Sequence, residues 1–187
     1  MARPNWHLGI DFGIKTFAYT ISYINGDDMR IIAMDVIDLI PGQKVKDVST
    51  IKLIGILITE INKIKKIFDT IQERKRVVIE YQMTTCPLYG ATLGAFKSSY
   101  DDVIIVGPSW KNSVNLAAHY RDVIAESSNQ YTANKKHAKL NFEYILQKYN
   151  IKCDIPKKLI GHAADSFMQV LGYMQHGPTE DKIYDMY

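Results

Sequence analysis

The chain has 187 residues, of which 47% are apolar and 23% charged, with a formal net charge of +3. This length predicts one compact domain over residues 1–187 and argues against a two-domain enzyme. The longest apolar run, residues 51–58, contains Lys52 and is too short to cross a bilayer, so no membrane partner is expected. The start of the chain lacks the pattern of a secretory signal, and only Cys86 and Cys153 could form a disulfide. We therefore expect a cytoplasmic protein in a reducing environment.

The first part of the chain is patterned as three antiparallel strands and a long helix. Strands are predicted over Trp6 to Phe12, Thr16 to Ile24 and Met29 to Leu39, and Asn25-Gly26 is a strong hairpin signal between the last two. From Val48 to Arg74, apolar residues recur at three- and four-residue spacing, which predicts an amphipathic helix with a possible dimer contact. The residues at that spacing are Ile51, Ile54, Ile58, Ile61, Ile64, Phe68 and Ile71.

The second part alternates short strands with helices. Strands are predicted over Arg76 to Tyr81 and Val103 to Val106, with a helix over Leu88 to Ser98 between them. Further helices are predicted over residues 112–126, 133–149 and 161–175. The order predicts an α/β fold with a five-stranded mixed sheet, three antiparallel strands and then two parallel ones, flanked by helices.

Charge is unevenly distributed along the C-terminal part. Residues 130–160 hold seven lysines and two acids, whereas residues 161–187 are acidic. A basic segment beside an acidic one suits a protein that binds phosphates with one surface and cations with another. The alternative explanation is that both charged segments form solvent-exposed faces without a binding role.

Two carboxylates fall at the ends of predicted core strands. Asp11 lies in an apolar strand between Gly9 and Gly13, and Glu80 follows three apolar residues. An unpaired ionised carboxylate there would cost several kcal/mol of desolvation, so each needs a cation, donors or a strand end. If the two strands are parallel neighbours, both acids emerge at the same carboxyl edge, where α/β sheets place their sites.

The last predicted helix opens with a histidine and a third acid. His162 and Asp165 are three residues apart and share a helix face. The apolar stripe of this helix, which includes Phe167 and Val170, lies on a different face, so both polar residues are predicted to stay out of the core. They reach the strand ends only if the helix crosses the sheet edge at its first turn.

Together, these side chains form a hard, oxygen-rich ligand set. Asp11, Glu80, Asp165 and His162 suit Mg²⁺ or Mn²⁺ better than a structural zinc. Two such ions roughly 4 Å apart, with Asp11 between them, would clamp the attacking water and the leaving oxygen of a phosphodiester. Each acid alone also has an ordinary explanation, as a turn former, a paired strand-end acid or an acid favoured by the helix dipole.

Over nearly its whole length the sequence resembles the RuvC-like Holliday junction resolvases of the ribonuclease H superfamily, and most closely the poxvirus branch. The motifs that carry the likeness are Gly9-Ile10-Asp11-Phe12-Gly13, Val78-Ile79-Glu80-Tyr81-Gln82, His162-Ala163-Ala164-Asp165-Ser166 and the basic segment Tyr131 to Lys139. The resemblance implies a ribonuclease H-like fold in which the three acids are metal-binding catalytic residues. His162 occupies a position that is an acid in many members, so it is either a ligand or a base.

The resemblance further implies a homodimer that resolves four-way and related branched DNA by paired symmetrical nicks, in viral DNA recombination and concatemer resolution in the host cytoplasm. Two Mg²⁺ ions per site are expected, with Mn²⁺ as a substitute and no nucleotide cofactor. Lysines are predicted to neutralise DNA phosphates. Gln82 and Met83, which follow the strand that carries Glu80, are predicted to reach the centre of the junction. The DNA-binding residues so predicted are Lys111, Lys135, Lys136, Lys139, Gln82 and Met83.

Two other functions fit parts of the pattern. The segment from Gly9 to Thr16 resembles the first phosphate-binding motif of actin-like ATPases and sugar kinases, but 187 residues cannot supply the second domain that closes on the nucleotide. A non-catalytic nucleic-acid-binding module of the same fold is the other alternative. The presence of all three acids argues against such a decayed site.

Overall fold

The computed structural model describes residues 5–81, 86–114, 116 and 129–177. The strands are β1 (Trp6–Phe12), β2 (Thr16–Asn25), β3 (Asp28–Asp38), β4 (Lys75–Glu80) and β5 (Val103–Val106). The helices are α1 (Thr50–Phe68), α2 (Pro87–Lys97), α3 (Trp110–Ser113), α4 (Gln130–Lys148) and α5 (Ile160–His176), with a short 3₁₀ turn at Val45–Asp47. No helix within these ranges is long and apolar enough to cross a membrane.

The five strands form one mixed sheet in the order β3-β2-β1-β4-β5. β1, β2 and β3 are antiparallel, whereas β4 is parallel to both β1 and β5. Gly26 adopts a positive φ of 59° in the turn between β2 and β3, which confirms the hairpin predicted from Asn25-Gly26. Within the described residues, the predicted α/β sheet is therefore confirmed as five strands, three antiparallel and then two parallel.

Helices cover both faces of the sheet. One core lies between the sheet and α1 and α2, and includes Ile10, Leu57 and Phe96. The other lies beneath α4 and α5, and includes Phe142 and Phe167. Because α5 packs against β1 on the second face, it lies close to the edge of the sheet formed by the carboxyl ends of β1 and β4.

Gly9 allows α5 to pack directly against β1. A Cβ at this position would lie 1.9 Å from the carbonyl oxygen of Ser166 and 2.8 Å from a methyl carbon of Val170. No side chain fits there, so only a glycine admits the backbone of α5 at this position. The contact brings the first turn of α5 close to the end of β1.

The helix predicted from Val48 to Arg74 is shorter than its apolar pattern. It begins after Ser49, whose hydroxyl accepts from the backbone N–H of Lys52, and it ends at Phe68. The ammonium of Lys75 then accounts for the early end, since it binds the carbonyl oxygens of Phe68 and Ile71 at 2.9 and 3.1 Å. A lysine from the following strand thus gives a further donor to the last carbonyl of the helix and to one just beyond it.

The predicted buried stripe of α1 is confirmed at Ile61, Ile64 and Phe68 but not in the first turns of the helix. Ile51 was expected to face the core, but it is 84% exposed. Two overlapping series of apolar residues have helical spacing here, and periodicity alone does not choose between them. The series that packs on the sheet is Leu53, Leu57, Ile61, Ile64 and Phe68.

Removing one methylene from a buried and from an exposed position of α1 should give different losses of stability. Ile61→Val is expected to lower the free energy of unfolding by about 1 kcal/mol, because Ile61 is fully buried. Ile51→Val, the same chemical change on the exposed side, should change it by less than about 0.5 kcal/mol. Urea unfolding of both variants measures the difference, and equal losses would contradict this assignment of the helix face.

The later helices match the predicted segments with shifted ends. α4 begins at Gln130, three residues before the predicted start, because the Asn129 side chain accepts from the backbone N–H of Thr132 at 2.9 Å. Of the helix predicted over residues 112–126, only the beginning lies within the described residues, in α3. The remaining predicted helix, 161–175, is confirmed by α5.

Candidate active site

Asp11 and Glu80 lie at the same edge of the sheet. β1 and β4 are parallel neighbours with Ile10 opposite Ile79, so the next residue of each strand is one of the two acids. Both line a cavity of about 350 Å³ at the carboxyl ends of these strands. The structure thus confirms the convergence of the two acids that the sequence predicted.

The first turn of α5 brings the other two predicted residues to this edge. His162 Nδ1 lies 3.1 Å from Asp11 Oδ2, and His162 lines the cavity beside Asp11. Asp165 is 0% exposed. The prediction that Asp165 stays out of the core was wrong, because α5 is buried on nearly all sides from Ala163 to Tyr173 rather than along one stripe.

Two lysines reach into the acidic cluster. Lys111 Nζ lies 2.7 Å from Glu80 Oε2 and 3.5 Å from Asp165 Oδ1. The ammonium of Lys135 donates to Asp165 Oδ2. Both residues were predicted to neutralise DNA phosphates, and in this structure their ammonium groups pair with carboxylates of the cluster.

Burial and neighbouring charges shift the protonation of this cluster. Burial raises the pKa of Glu80, and the charges of Asp11 and Asp165 add to that effect, against the opposing Lys111. For Lys135, burial acts to lower the pKa, but the attraction of Asp165 outweighs it and the pKa is raised. Lys135 is therefore held in its charged form beside Asp165.

The remaining predicted DNA-binding residues lie outside this cluster. Lys136 is exposed on α4, and Lys139 lies one turn further along, 3.8 Å from Glu143. Both belong to the same helix as Lys135, so α4 carries a basic surface away from the cavity. Gln82 and Met83 lie outside the described residues.

Three polar residues that line the cavity were not predicted. They are Asn112, Tyr131 and Asn134. Tyr131 is 71% exposed at the start of α4, and Asn134 Oδ1 accepts from Gln130 at 2.8 Å. Only the position of Tyr131 and Asn134 beside the predicted lysines of α4 could have indicated them from sequence.

Contacts beneath the cavity hold the elements that carry these residues. Gln169, one turn beyond Asp165, donates to the carbonyl oxygen of Ile10 at 2.6 Å and so ties α5 to the residue before Asp11. Trp110 stacks on Tyr173 with ring centroids 5.8 Å apart. This stacking packs α3 against α5 and so positions Lys111 next to Glu80 and Asp165.

The donor set suits a hard divalent cation. Three carboxylates and an imidazole gather at one edge, and Asp165 Oδ1 is buried with no hydrogen-bond partner among the described residues. In the same part of the chain, no three histidine, cysteine or acidic side chains stand together in a ready-made ligand arrangement. The residues therefore fit Mg²⁺ or Mn²⁺ chemically, while in this structure Glu80 and Asp165 face lysine ammonium groups and Asp11 faces His162.

Solved structures provide the decisive comparison for the fold. RuvC of Thermus thermophilus aligns over 92% of this chain and 96% of its own, with 16% identity and a TM-score of 0.56. The yeast mitochondrial Holliday junction resolvase Ydc2 aligns over 94% of this chain and 80% of its own, with 21% identity and a TM-score of 0.56. The fold is ribonuclease H-like. No protein-family model and no curated protein matches the sequence.

A poxvirus protein also aligns with this ribonuclease H-like chain, but less well. The fowlpox virus resolvase, solved with Holliday junction DNA, covers 91% of this chain and 97% of its own, with 19% identity and a TM-score of 0.47. That similarity is too low to support a particular branch. The poxvirus origin stays a prediction from the sequence motifs.

Proposed function

We propose that this protein is a divalent-metal-dependent endonuclease that cuts four-way and related branched DNA. The observation that carries the proposal is the convergence of Asp11, Glu80, His162 and Asp165 at one edge of a ribonuclease H-like sheet. The T. thermophilus RuvC of the same fold has been solved in complex with a Holliday junction substrate. A shared fold alone does not define an activity, so the acids at the site supply the chemical argument.

The three acids are the groups that would hold the metal ions. Bound Mg²⁺ or Mn²⁺ would supply Lewis acidity and a water of lowered pKa for phosphodiester hydrolysis, with two ions in the proposed mechanism. Asp11 and Glu80 present their carboxylates from adjacent strands, which fixes their spacing through the sheet. His162, in contact with Asp11, would orient that carboxylate or take the proton released by the attacking water.

Helix α4 would guide the DNA backbone to the acids. Lys135 lies at the cavity, and Lys136 and Lys139 continue the basic surface along the helix. Lysines of this kind neutralise phosphates without reading sequence, so binding should weaken as salt rises. Lys111, buried between Glu80 and Asp165, would instead offset the negative charge of these two carboxylates within the cavity.

The finer parts of the proposal concern assembly and biology. We propose a homodimer of single-domain protomers, without a nucleotide cofactor, because two symmetry-related sites can make paired nicks in a four-way junction. We place this contact on α1, where Ile51 is 84% exposed. A role in viral DNA recombination and concatemer resolution in the host cytoplasm completes the proposal.

The direct test uses labelled four-way, three-way and linear DNA with the full chain in Mg²⁺ or Mn²⁺. We expect paired nicks at symmetrical positions in the four-way junction, little cutting of linear duplex, and no cutting in EDTA. Nucleotide turnover without DNA cleavage would favour an ATPase. Junction binding without either reaction would favour a non-catalytic module.

A further inference from the structure

The acidic cluster is balanced by lysines rather than left as bare carboxylates. Glu80 pairs with Lys111, and Asp165 contacts both Lys111 and Lys135. Because Asp165 is fully buried, its charge would be strongly unfavourable without these cations. The two ammonium groups therefore stabilise the same oxygens that a divalent ion would need.

The two lysines differ in how easily their ammonium groups can move away from the carboxylates. The Lys111 side chain is 11% exposed, on a short helix held by the stacking of Trp110 on Tyr173. The Lys135 side chain is 37% exposed and lies at the opening of the cavity. A long lysine side chain that is partly in solvent can move its ammonium group by rotation about its side-chain bonds. Lys135 is thus the cation that can be displaced without moving a helix.

A DNA phosphate would compete with Asp165 for the ammonium of Lys135. Lys135 belongs to the basic surface of α4, beside the exposed Lys136. A phosphate that enters the cavity would offer Lys135 a second anionic partner at the place where the acids lie. Once the ammonium moves to the phosphate, Asp165 keeps only Lys111, which also pairs with Glu80, and a divalent ion can neutralise the remaining negative charge.

We infer that Lys135 is an exchangeable counter-ion that couples DNA binding to metal binding. This inference rests on the proposed function and adds a mode of regulation at the same site. Without DNA, the ammonium of Lys135 pairs with the carboxylate of Asp165 and so opposes metal binding. With DNA bound, it pairs with a phosphate and the acids bind metal more tightly. Since coupling between two ligands is reciprocal, metal also strengthens DNA binding.

The first test measures Mn²⁺ binding to the full chain without DNA, by calorimetric titration. Lys135→Met should bind Mn²⁺ at least about 5-fold more tightly than wild type, because the competing cation is gone. Lys136→Met removes the same charge one residue away and should change the affinity by less than about twofold. Lys135→Arg, which keeps the charge, should resemble wild type.

The second test measures four-way junction binding in EDTA at several salt concentrations. If Lys135 reaches a phosphate, Lys135→Met should reduce the slope of log K against log salt by about 0.9. An unchanged slope would mean that Lys135 remains on Asp165 in the complex and would overturn the inference.

Thermal unfolding shows whether each variant is folded, and Lys135→Gln serves as a second neutral variant if Lys135→Met is not. Mn²⁺ affinity no higher than wild type in the folded neutral variant would overturn the inference. Failure of the wild-type protein to bind or cut junctions would instead contradict the proposed function. Mn²⁺ binding without DNA distinguishes the two failures, because it does not depend on a DNA substrate.

Discussion

Asp11→Asn is expected to reduce the cleavage rate of a four-way junction by at least about 1,000-fold. The substitution keeps the shape of the side chain but removes the negative charge at the point where β1, β4 and α5 meet. A metal ion in this mechanism lowers the barrier by several kcal/mol, and each 1.36 kcal/mol corresponds to a tenfold change in rate. Single-turnover cleavage with excess protein measures the loss.

Junction binding by the same variant should be retained. The basic residues of α4 are unchanged, and removal of an acidic charge near DNA does not weaken phosphate contacts. Asp154→Asn is the matched control, because its side chain is 81% exposed and lies outside the residues that line the cavity. Wild-type cutting by Asp11→Asn, or equal losses in both variants, would show that the site is wrongly assigned.

Gly9→Ala is expected to lower the free energy of unfolding by about 3 kcal/mol or more. The new methyl group would meet the Ser166 carbonyl oxygen at 1.9 Å, and a backbone atom cannot move away by changing a rotamer. Either α5 shifts from β1 or the strand bends. For a chain of this length, the melting temperature should fall by about 6–12 °C.

Gly55→Ala is the matched control for that prediction. Gly55 is an exposed residue of α1, and a Cβ there would meet no atom within 4 Å. In a helix, this change should stabilise the protein by about 0.5–1 kcal/mol. The two substitutions add the same methyl group, so opposite signs in calorimetric unfolding would identify the contact at Gly9 as the cause. A melting temperature for Gly9→Ala equal to that of wild type would contradict the close packing of α5 on β1.

Much of the fold was predictable because its signals are local. The Asn25-Gly26 turn selects a hairpin, and the apolar runs that end in Asp11 and Glu80 are too short and too continuous for surface helices. Parallel pairing of those two strands then places both acids at one edge. The meeting of Asp11 and Glu80 therefore follows from local patterns and one strand pairing.

The surroundings of the acids depend on long-range packing and were not predicted. No pattern in the chain distinguishes Lys111, which pairs with Glu80, from Lys136, which is exposed. The burial of Asp165 was missed because a helix packed on several sides has no single apolar stripe. In α1, two apolar series compete for one face, and only contact with the sheet decides between them.

The most direct test of the account is a crystal structure of the full chain soaked in Mn²⁺, with the ions located by anomalous scattering. The account predicts Mn²⁺ bound by the carboxylates of Asp11, Glu80 and Asp165, with the ammonium of Lys135 moved away from Asp165. Mn²⁺ bound elsewhere on the protein at saturating metal, with Glu80 and Asp165 still paired to lysines and Asp11 still in contact with His162, would contradict it.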